Sequence, residues 1–180
     1  MRGRARALAI AGGLVVAILT GQAAADVRVA EHQFQHDDLD GWSELPVRER
    51  GDAGNVLIVA GYRHAASGAL LAITRVGLAN PRAWRGDDDF FAGVEAGIER
   101  TSARYQRFHH RQQRVARVPA LDLGFRRDSE RGREVVLMRF LFFRRYALAL
   151  ALRVPAPAYR RHERAFRKLI ERFEPYVEAR

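Results

Sequence analysis

From Arg133 to Val154 the chain reads REVVLMRFLFFRRYALALALRV, apolar from Val135 onward except at Arg139, the central Arg144-Arg145 pair and Arg153. β-Branched, aromatic and aliphatic residues at this density predict two strands, Val135 to Phe143 and Tyr146 to Val154, joined as a hairpin. Strands that are apolar on both sides require cover on both faces of their sheet. With Arg144-Arg145 as a two-residue turn, Phe143 faces Tyr146, and Phe142, Phe140 and Met138 fall opposite Ala147, Ala149 and Ala151, large against small. The other face joins Val135, Leu137, Leu141 and Phe143 to Tyr146, Leu148, Leu150, Leu152 and Val154, with Arg139 as its one charged member. A loop one residue longer exchanges these partnerships, because side chains alternate with period two. Arg-Arg also suits poorly a turn that wants positive φ at both central positions. On the two-residue register, Arg139 must reach a carboxylate or the solvent at the margin of the sheet.

The same patterning sets out the rest of the chain. Val27 to Phe34 and Trp42 to about Arg50 read as strands flanking the turn-rich HDDLDGW. Gly51 to Gly54 is a turn, and Val56 to Tyr62 and Leu70 to Leu78 form a second hairpin around Ala65-Ala66-Ser67-Gly68. Asn80-Pro81 breaks that strand, and Asp87, Asp88 and Asp89 supply an N-cap and acidic first turn for a helix from Asp89 to Arg104. Phe91, Val94 and Ile98 share one stripe of it, and Gly93 and Gly97 allow either a close approach to a sheet or a mobile flap. A polar, basic strand follows, Tyr105 to Val118, and after Pro119 another, Leu121 to Arg127. Tyr159, His162, Phe166, Leu169, Ile170 and Phe173 recur at three- and four-residue spacing, with Arg and Lys between them, and predict an amphipathic helix from Tyr159 to Phe173 closed by Glu174-Pro175. Two helices and two faces to cover make a three-layer arrangement economical.

The N-terminus changes the picture of compartment. Arg2, Arg4 and Arg6 precede an apolar Ala7 to Leu19 and the small residues Ala23-Ala24-Ala25, the order of a cleavable export signal over residues 1–25. The apolar run is short for a membrane span of about 20 residues. The expectation is a periplasmic protein with one α+β domain over residues 26–180. No Cys occurs in the 180 residues, which removes disulfides, thiolate metal sites and a Cys nucleophile. The net charge of +10 falls to +7 without the three leader arginines, 28 basic residues against 21 acidic. Lys168 is the only lysine, a skew that points to coding bias, and an exported protein is a poor candidate for nucleic acid. The charge still attracts anionic lipid or glycan over about a Debye length.

Candidate chemistry is sparse. His32 and His36 lie four apart, about 13 Å along a strand, too far to share one ion directly. Asp38-Leu39-Asp40-Gly41 matches a fragment of a calcium loop but lacks its alternating ligands and closing Glu. His109 and His110 are adjacent and face opposite sides of a strand, so no metal is expected there and no cofactor elsewhere. Arg107, His109 and Arg111 instead mark a basic strand, either a solvated face or an anion-binding one. Trp42 and Trp84, each beside turn residues, serve either recognition or the edge of the core. Arg85-Gly86-Asp87 is a three-residue match of the kind chance supplies. None of Ser43, Ser67, Ser102 or Ser129 sits in a nucleophile elbow, and Glu44, Glu95, Glu99 and Glu134 are scattered. No catalytic residue is assigned.

An export signal, an early strand ending in a turn and Trp42, a hairpin, a helix, three further strands with the Tyr-led YALALAL, and a final helix ending Phe173-Glu174-Pro175 together resemble the PsbP-like family of photosystem extrinsic proteins and exported bacterial relatives. The resemblance is one of element order and covers nearly the whole mature chain. It implies an antiparallel sheet of about six strands with helices on both faces, an α/β/α sandwich, and a non-catalytic binding or accessory role beside a cell-envelope protein partner. Association with anionic lipid or glycan surfaces is the alternative, and a hydrolase with dispersed residues a third.

Overall fold

The computed structural model describes residues 41–46, 56–77, 88–143, 145–171 and 173. The leader, the strand expected at Val27 to Phe34, His32, His36, Asp38 to Asp40, the Gly51 to Gly54 turn, Trp84 and Arg85-Gly86-Asp87 lie outside them.

Seven strands form one antiparallel sheet: β1 (Trp42–Glu44), β2 (Val56–His64), β3 (Leu70–Gly77), β4 (Gln106–Val115), β5 (Val118–Ser129), β6 (Gly132–Phe142) and β7 (Tyr146–Pro155). Among the described residues two helices accompany them, α1 (Asp88–Arg100) between β3 and β4, and α2 (Ala156–Glu171) after β7. The spatial order is β1-β2-β3-β7-β6-β5-β4, so the connection through α1 carries the chain from the middle of the sheet to its far edge. The resemblance implies about six strands, and the described residues hold seven, among them the short β1, which pairs with the end of β2, Trp42 against His64 and Glu44 against Tyr62.

The hairpin of β6 and β7 has the two-residue register, with Phe142, Phe140 and Met138 opposite Ala147, Ala149 and Ala151. Phe143 donates its backbone N–H to the Tyr146 carbonyl at 2.9 Å, and the two rings stack at 4.7 Å. Each strand face belongs to its own core cluster. Val136, Met138, Phe140 and Phe142 pack with Phe91, Val94 and Ile98 of α1. Val135, Leu137, Leu141, Leu148, Leu150 and Leu152 pack with Tyr159, Phe166 and Ile170 of α2.

Several boundaries differ from expectation, β1 ending at Glu44 rather than near Arg50 among them, and three have a local reason. α1 ends at Arg100, where the Thr101 hydroxyl donates to the carbonyls of Gly97 and Ile98 and the chain turns through Arg104 at φ 52°. The basic strand stops at Val115, because Ala116 (φ 47°) and Arg117 (φ 68°) make a left-handed two-residue turn before Val118. Pro119 therefore lies inside β5, opposite Arg114, where pairing with β6 has not begun and no N–H is required. α2 begins at Ala156 rather than Tyr159, since Pro157 is tolerated in a first helical turn.

Arg139 is buried at 3% exposure and paired. Its Nε and Nη2 donate to the two oxygens of Asp122, each at 2.7 Å, and Nη1 donates to the Glu171 carbonyl at 2.9 Å. The opposite face carries a second buried group, in which Glu134 accepts from Arg153 at 2.8 Å and from Arg127 at 3.3 Å.

Candidate binding surface

The edge strand β4 gathers the chemistry-bearing side chains that the sequence singles out. Its sequence QRFHHRQQRV holds three arginines, two histidines and no carboxylate. Opposite β5, Arg107 pairs with Phe125 and His109 with Gly124, so Phe108 is an extra residue, a β-bulge. The bulge is accommodated by Gly124: a Cβ there would lie 2.8 Å from Phe108 Cε2 and 3.0 Å from His109 Cβ. The Phe108 ring turns toward Tyr159 of α2, beneath the guanidinium of Arg126 at 4.8 Å.

Because of that extra residue, Arg107 and His110 reach the same acceptor, Glu95 of α1. Arg107 Nη1 donates to both Glu95 oxygens, at 2.7 and 2.8 Å, and the Tyr105 hydroxyl donates to Oε1 at 2.9 Å. His110 Nδ1 lies 2.9 Å from Oε2 and must carry the proton, since a carboxylate only accepts. Burial opposes the charge on Glu95, but the hydrogen bonds from Tyr105, Arg107 and His110 outweigh it and hold the carboxyl below its ordinary range. Burial, followed by the same carboxylate, raises the Tyr105 phenol. This arrangement ties α1 to the edge strand and neutralises part of its charge.

The sequence matches no family model and no curated protein. Solved structures do match. Cyanobacterial PsbP (CyanoP) from Synechocystis sp. PCC 6803 superposes with a TM-score of 0.55 at 11% identity, covering 88% of this chain and 99% of its own. LpqN of Mycobacterium tuberculosis, involved in cell envelope biogenesis, gives 0.51 at 13% identity over 88% and 99%. A Pseudomonas aeruginosa protein of unknown function gives 0.53 at 14% identity over 76% and 98%. The fold is PsbP-like.

Within this PsbP-like sheet the expected site residues separate. Regular alternation would set Arg107, His109 and Arg111 on one face, but the bulge breaks it. Arg107 goes to Glu95 beside α1, whereas His109 and Arg111 stand opposite Gly124 and Asp122. Asp122 is already engaged by Arg139 and by Gln113, at 2.7 Å, so among the described residues Arg111 has no carboxylate partner. Trp42 lies apart from them, against His64 at 5.1 Å and Phe166 of α2 at 6.5 Å, where it closes the edge of the core. His64 is held by the Ser67 hydroxyl at 2.7 Å and faces His162 at 6.0 Å. Among the described residues no three His, Asp or Glu side chains gather as a metal site would require.

Glu95, Tyr105 and Gly124 are functional neighbours that sequence reasoning does not single out. Glu95 lies four residues after Phe91 and three before Ile98, at the margin of their stripe, a spacing that names no partner. Its meeting with β4 depends on a bulge that Arg-Phe-His-His does not announce.

Proposed function

We propose that this PsbP-like chain is an exported, non-catalytic accessory protein of the cell envelope that works by holding a protein partner. The supporting observation is how its charge is used. Glu95, Asp122 and Glu134, the carboxylates best placed for acid–base chemistry, are each engaged by arginines, while Arg111 and Arg114 of β4 stand exposed at the surface. In this reading α1 and α2 close the two faces of an α/β/α sandwich and leave the β4 edge for contact. The leader-like residues 1–25 support an address outside the cytoplasm, in keeping with a fold it shares with an envelope-biogenesis protein.

Two measurements test the reading together. Fractionation with N-terminal sequencing should find the chain in the periplasm beginning at Asp26, and affinity capture from that fraction should recover a stoichiometric partner. A chain retained in the cytoplasm with its leader intact overturns the compartment. A mature chain that captures nothing but sediments with anionic vesicles favours a lipid-surface role, for which the exposed Arg160, Arg161 and Arg164 of α2 are the supporting feature.

A further inference from the structure

We propose that the outer edge of β4 takes up an extended, acidic segment of a partner protein as an additional strand of the sheet. The proposal deepens the partner-binding reading above by naming the chemistry and geometry of what is held. Among the described residues β4 terminates the sheet, and from His109 to Val115 it pairs with β5 without interruption. Seven residues are a typical strand length, enough to template a neighbour.

The backbone direction follows from the turn. Val115 and Val118 flank the two-residue turn Ala116-Arg117 and form its hydrogen-bonded closing pair, so the next pair, Arg114 and Pro119, is a non-hydrogen-bonded one. Pro119, having no N–H to give, fits that position. Alternation then directs the N–H and C=O groups of His110, Gln112 and Arg114 away from β5, toward whatever lies beyond the edge.

Sheet edges are commonly blunted by shortness, proline or bulges. β1, at the other edge, is three residues long. β4 is ten residues long, contains no proline, and has its bulge at Phe108, outside the regular stretch. Among the described residues its protection is charge. A second copy pairing antiparallel would bring its arginines against these, which like-charge repulsion disfavours. An acidic strand meets the opposite condition. Arg107 and His110 are partly offset by Glu95, but Arg111 faces a carboxylate already committed to Arg139, and Arg114 spends one nitrogen on the Arg117 carbonyl. Main-chain pairing would supply the affinity and the arginines the preference for acidic side chains.

The test separates strand addition from simple attraction of anions. The chain purified after export is titrated with a blocked peptide of alternating glutamate and valine, about nine residues long, while the backbone amides are followed by NMR. The expected result is salt-sensitive binding with the largest shifts at His110, Gln112 and Arg114. Gln112→Pro removes one outward N–H and no charge, and should weaken binding about tenfold or more with an unchanged thermal midpoint. If that variant is unfolded, the same peptide methylated on alternate amide nitrogens, titrated against the unaltered chain, must lose binding equally. Binding that survives both changes, or equal binding of the methylated peptide and of anionic vesicles, overturns the proposal in favour of a polyanion or lipid surface. A captured partner that is retained by Gln112→Pro also overturns it while leaving the partner-binding reading intact. Failure to capture any partner counts against that reading alone, and the peptide titration still decides this one.

Discussion

Arg139 is the residue at which the reading of the central hairpin is most exposed to error, since a charge in an apolar strand is costly unless paired. Its bidentate bond to Asp122, with both groups under 10% exposed, answers that cost. Removing one partner is expected to be far worse than replacing both. Arg139→Met should cost about 3–5 kcal/mol by stranding Asp122, whereas Arg139→Met with Asp122→Leu should recover most of it. Urea midpoints of the two variants decide this, and equal losses would show that the pair is not the relevant unit. Thr74 is the contrary case, its hydroxyl fully buried opposite Ala149 without a hydrogen-bond partner among the described residues. Thr74→Val keeps the shape and drops the orphan group, so a gain of about 1 kcal/mol is expected in the same assay. Parity places Arg139 on the Leu141 face and demands a carboxylate or solvent for it, but only the fold shows that the carboxylate is Asp122, 17 positions away.

At the scale of elements, legibility followed periodicity. The β6–β7 register, with phenylalanines against alanines, was readable because one pattern over two adjacent strands admits few alignments. The α1 stripe and the α2 stripe were readable for the same reason. What failed was the junction at 116–117, where Pro119 read as the strand break although the turn lies just before it. Ala116 and Arg117 adopt positive φ without the Asn or Gly that usually signals it, so the turn is strained and silent in sequence. Left-handed conformation costs an ordinary residue about 1–2 kcal/mol, part of which glycine repays in lost chain entropy. Arg117→Gly should therefore raise stability by about 0.5–1 kcal/mol. Its thermal midpoint tests this, and a decrease would mean that the Arg117 side chain supports the turn. The Phe108 bulge was equally silent, although Gly124, buried in an otherwise large-residue strand, was the mark of a close approach across the pair.

For the molecule as a whole, two buried or half-buried carboxylates act as rivets between elements that are distant in sequence. Glu95 joins α1 to β4, and Glu134 joins β6 to both β5 and β7. Burial resists the charge on each, and donors overcome it: Tyr105, Arg107 and His110 for Glu95, Arg153 and Arg127 for Glu134. Both folded values thus lie below the ordinary 4.5. A lowered acid binds protons more weakly in the folded state than in the unfolded one, so its contribution is complete above the ordinary value and disappears as pH falls through the folded value. Urea midpoints should be level from pH 7 to about 5 and then fall as the solution becomes more acidic. Glu95→Gln should begin from a lower midpoint at pH 7, because Arg107 and His110 lose their acceptor, and should fall less steeply below pH 4.5. Its curve and that of the parent should converge at low pH, where both carry a neutral side chain. Parallel curves would place the acid sensitivity elsewhere and would show that the charge on Glu95 is not what the acid limb reports.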